Sequence, residues 1–66
     1  MQETVEDLEE QLQEALAKIE NIAAQVAEKD LDAYEGFMQT ETYKDKIVEI
    51  GHKLKERGVD ITTLTE

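Results

Sequence analysis

The chain has 66 residues, with seventeen acids against seven bases, a net charge of −10 and no cysteine. That charge argues against nucleic acid and anionic membranes as direct partners, since both repel it, and the missing cysteine excludes disulfides and most structural zinc sites. A chain this short makes one small domain that buries only about 60% of the surface its unfolded form exposes, so pairing with a second copy is the expected route to further stability.

A first helix is predicted over about residues 3–30. Apolar residues fall at Val5, Leu8, Leu12, Ala15, Ile19, Ile22 and Val26, in alternating steps of three and four that make an unbroken a/d heptad pattern. Leu16 and Ala23 land at e positions and widen the stripe beyond a two-stranded seam, which suits a bundle. Val5, Leu8, Leu12, Ala15, Leu16, Ile19, Ile22 and Val26 form the expected oligomer seam. In this register Glu6, Asp7, Glu10, Glu14, Glu20 and Glu28 all point outward. Residues 1–30 carry a balance of −7 and residues 31–66 only −3.

The apolar pattern lapses over about residues 31–42, which are expected to form a connector. Gly36 is a candidate helix terminator there, and Asp30-Leu31-Asp32 could cap a turn. Leu31, Tyr34, Phe37 and Met38 are expected to fill the bend of a hairpin, and a short strand over 37–43 is conceivable from its β-friendly residues.

A second helix is predicted over about residues 43–57, with Thr42 and Asp45 as a capping box and Tyr43, Ile47, Ile50 and Leu54 as its inner face. Lys53, Lys55 and Arg57 suit its last turn and Gly58 its stop, with Val59 folding back on Leu54. The tail, 58–66, reads as a short extended segment. The expected fold is therefore all-α: a helical hairpin that associates as a coiled-coil-like dimer or small bundle. Antiparallel packing would set the basic end of the second helix beside the acidic start of the first.

Catalytic chemistry finds little support. Serine and cysteine are absent, and a single histidine cannot serve a triad. Glu49 and His52 have the E-x-x-H spacing of di-iron bundles, yet the heptad register turns both outward. The acids follow no calcium-loop spacing, and neighbouring pairs such as Glu9–Glu10 do not face each other across a cleft. Neither a catalytic residue, a metal site nor a cofactor is expected.

The feature with functional content is the acidic face: Glu3, Glu6, Asp7, Glu10 and Glu14. No base occurs before Lys18, whereas a surface serving solubility alone ordinarily mixes signs. Glu3, Asp7, Glu10 and Glu14 follow an i, i+4, i+7, i+11 row whose neighbours lie about 5–6 Å apart, comparable in scale to phosphates along a DNA strand. The expectation is an inhibitor that mimics DNA charge and occupies the basic surface of a nucleic-acid-binding protein. The alternative is an oligomerisation, scaffold or adaptor module acting through the apolar stripe. No secretory signal pattern opens the chain and no stretch approaches the roughly 18 apolar residues that span a bilayer, so a soluble cytoplasmic protein is expected.

Overall fold

The computed structural model describes residues 3–59, which form two antiparallel helices, α1 (Val5–Ala27) and α2 (Ala33–Glu56), joined by a five-residue turn. The all-α hairpin expected from the periodicity is present.

Local chemistry sets each helix end. Thr4 caps α1 from an extended backbone: its hydroxyl accepts from Asp7 N–H at 3.1 Å, and the Asp7 carboxylate accepts from Thr4 N–H at 3.3 Å. This reciprocal box satisfies two otherwise orphaned donors, and Glu6 and Asp7 sit at the positive end of the helix dipole. At the other end, Lys29 adopts a left-handed backbone with φ 63°. It donates to Val26 C=O, and Asp30 donates to Gln25 C=O, the two bonds of a Schellman stop. Asp32 then caps α2, its side chain accepting from Tyr34 N–H at 3.1 Å. Gly58, with φ 82°, ends α2 in the same way as Lys29 ends α1, and Val59 N–H donates to Leu54 C=O at 2.9 Å.

The core lies toward the chain-terminal end of the hairpin. Leu8 and Leu12 of α1 interlock with Ile50 and Leu54 of α2, flanked by Val5, Leu16, Ile47 and Val59. Each buried leucine or isoleucine contributes about 1.5–3 kcal/mol. Toward the turn the helices converge on Gly36, which is buried, and a Cβ placed there would lie 2.5 Å from Val26 Cγ2.

Three expectations about the middle of the chain are corrected. The connector is not 31–42 but 28–32, because α2 begins at Ala33, ten residues earlier than predicted. The buried position of the added turns is Gly36, which lets the helices approach, and Thr40 one turn on is half-buried, so no apolar stripe advertises them. Segment 37–43 is accordingly helical, and Thr42 is no cap: its hydroxyl donates back to Met38 C=O at 3.4 Å. Tyr34, Phe37 and Met38 do not fill the bend but lie exposed on α2. The extended tail falls, beyond Val59, outside the described residues.

The stripe proposed as an oligomer seam packs against α2 of its own chain. Leu8, Leu12, Ala15 and Ile22 are buried, and Val5, Leu16, Ile19 and Val26 are half-buried.

Candidate functional site

The candidate surface is the side of α1 turned away from α2. Because Leu8, Leu12 and Ala15 are drawn into the hairpin, the 3.6-residue repeat carries Glu6, Asp7 and Glu10 to the opposite side and Glu14 to its flank. All four are exposed. Among the described residues no lysine or arginine lies within ion-pair distance of any of them.

Glu3 separates from this group. It precedes the helix, so it does not extend the Asp7–Glu10–Glu14 row, and its carboxylate turns toward α2. Lys53 Nζ stands 3.0 Å from Glu3 Oε1, and the Gln11 side-chain amide donates to Glu3 Oε2. The Gln11 hydrogen bond, and then the Lys53 ammonium, hold the Glu3 carboxyl below the usual glutamate range. The Glu3 carboxylate in turn raises Lys53, whose other contact is Glu49 at 3.6 Å. The neutralisation of the acidic start of α1 by the basic end of α2 therefore falls on one residue of the five.

Two further positions limit the acidic face. Asp7 has a structural duty in the Thr4 cap as well as an outward position. Glu14 borders an open groove shared with Gln11, Lys18, Tyr43 and Lys46, so the field there is tempered by two bases. The uncompensated part is centred on Glu6, Asp7 and Glu10. The capping role of Asp7 was legible as Thr4-Val5-Glu6-Asp7, an S/T-x-x-acid signature that the heptad pattern overshadowed.

Glu49 and His52 are both exposed on α2, in keeping with their outward register. Among the described residues, no three acidic, histidine or cysteine side chains come together in a way that could hold a metal ion. No helix of the described residues is long and apolar enough to cross a membrane.

In comparisons with family models, curated proteins and solved structures, none matches this chain.

Proposed function

We propose that this protein is a non-enzymatic, cytoplasmic inhibitor that presents the acidic face of α1 to the basic nucleic-acid-binding surface of another protein. The observation that carries this reading is the one-sidedness of the charge. Glu6, Asp7 and Glu10 are exposed on one side of α1, and among the described residues the bases of α2 pair across the hairpin with Glu3 and with none of these three. A helix holds these carboxylates at fixed spacing, so a partner with ordered lysines and arginines meets them without paying to order the ligand.

Electrostatic binding of this kind is screened. The Debye length falls from about 10 Å at 0.1 M salt to about 3 Å at 1 M. The test is capture from lysate at low and high salt, followed by competition between this protein and duplex DNA for each captured protein. The expected result is recovery of basic DNA-binding proteins that release in salt and lose their DNA when this protein is added. Recovery of no basic protein, or capture indifferent to salt, would count against the reading.

The alternative, an oligomerisation or adaptor module, has one observation in its favour. Apolar side chains remain exposed, although on α2 rather than on the α1 stripe.

A further inference from the structure

The four large apolar side chains left exposed among the described residues all belong to α2: Tyr34 (71%), Phe37 (59%), Val48 (58%) and Met38 (48%). Helical rotation of about 100° per residue places Tyr34 and Met38 on the side opposite Ile47, Ile50 and Leu54, and Phe37 and Val48 on the flank beside it, in one row with Glu41 and Lys44. The row Phe37, Glu41, Lys44 and Val48 runs at i, i+4, i+7 and i+11 along the outside of the hairpin, apolar at its ends and charged at its centre. The two helices differ equally in charge: α1 carries six acids and one base, α2 five acids and four bases.

We infer that the outer face of α2 is the interface between two copies of this chain, packed antiparallel about a twofold axis between residues 42 and 43. Each copy carries −10 overall, so pairing through α1 would set like charges against each other, whereas α2 brings together the face with the smaller charge imbalance, and its Glu41 and Lys44 complement one another across a twofold. The face also complements itself. The twofold that sets Phe37 opposite Val48 of the second copy also sets Glu41 opposite Lys44 of the second copy. Within one chain, Lys44 already lies 3.4 Å from Glu41 on the surface, so the four charges of the dimer would form one alternating cluster at its centre. The pairing covers Phe37 and Val48 of both copies and leaves both α1 acidic faces turned outward. It is independent of the proposed inhibitory role, because it requires no other protein.

The experiment is sedimentation velocity with light-scattering mass on the full chain, from about 5 µM to about 500 µM, the range in which an interface at the small end of the size scale is expected to titrate. The weight-average mass should rise across the range, from near the single-chain value toward twice it. Phe37→Glu and Val48→Glu should each weaken pairing by at least tenfold while keeping the helical circular dichroism, since both side chains face solvent in the single chain. Glu41→Lys and Lys44→Glu should each weaken it, and an equimolar mixture of those two variants should recover a heterodimer. A wild-type chain that stays monomeric throughout would overturn the inference, as would a dimer untouched by Phe37→Glu and Val48→Glu. A monomeric wild type whose melting point falls with Phe37→Glu would also overturn it, assigning the face to residues 60–66 of the same chain.

Discussion

Lys53 reaches back fifty positions to Glu3, its ammonium 3.0 Å from the carboxylate, and pins the start of α1 to the end of α2. The pair is partly exposed and so is screened by solvent, but its pH dependence has a definite sign. Glu3 is held below its ordinary value in the folded chain. Its contribution is therefore complete above the unfolded value, about 4.3, and is lost as pH falls through the lower folded value. Glu3→Gln should melt below wild type at pH 7, and the difference should close in acid below about pH 4. A constant difference from pH 7 to pH 2 would mean that the loss comes from something other than the charge.

Gly36 marks the closest helix approach near the turn. Alanine there would gain about 1 kcal/mol of helix propensity. Its Cβ would meet Val26 Cγ2 at 2.5 Å, and a β-branched side chain has few rotamers into which to retreat. Overpacking costs about 1–3 kcal/mol, so Gly36→Ala should destabilise by a net of about 1 kcal/mol and lower Tm by several degrees. A rise in Tm on thermal denaturation would refute the close approach.

Lys29 holds a left-handed backbone that costs a side-chain-bearing residue about 1–2 kcal/mol. Lys29→Gly should stabilise the hairpin by about 1 kcal/mol, with Lys29→Asn intermediate, because glycine and then asparagine best tolerate the helix-ending conformation. Urea denaturation of the three chains provides the ranking.

Leu12, 3% exposed, and Ile19, half-buried, separate the core from its margin. Truncating a buried leucine costs about 2–5 kcal/mol, close to the whole stability of a domain this size, about 3–5 kcal/mol. A charge costs more, so Leu12→Glu should abolish the helical circular dichroism, while Ile19→Glu should leave a folded but weaker hairpin. Full helicity in the Leu12→Glu chain would be incompatible with this core.

Charge reversal tests the acidic face most cleanly at Glu10, which is exposed and outside the cap. Glu10→Lys should reduce capture of a basic partner at low salt without lowering Tm. Asp7→Lys should reduce capture and Tm together, since it also removes an acceptor from the Thr4 cap, worth about 1 kcal/mol. Equal capture by wild type and Glu10→Lys would remove Glu10 from the binding surface.

The hairpin class, the inner face of α1, the Gly58 stop and the outward acids were legible in the residues because each depends on near neighbours: a heptad step, a left-handed glycine, a 3.6-residue repeat. Tertiary packing decided the rest. Residues 33–42 carry glycine and a half-buried threonine where an apolar stripe would show a helix, so the periodicity reads as a connector although Asp32, with Glu35 three residues on, is a local start signal. Likewise, an apolar stripe records that Leu8 and Leu12 will be covered, but not by what. The short turn gives α2 of the same chain a far higher effective concentration than a second molecule has, so α2 takes that stripe and its own outer face stays exposed.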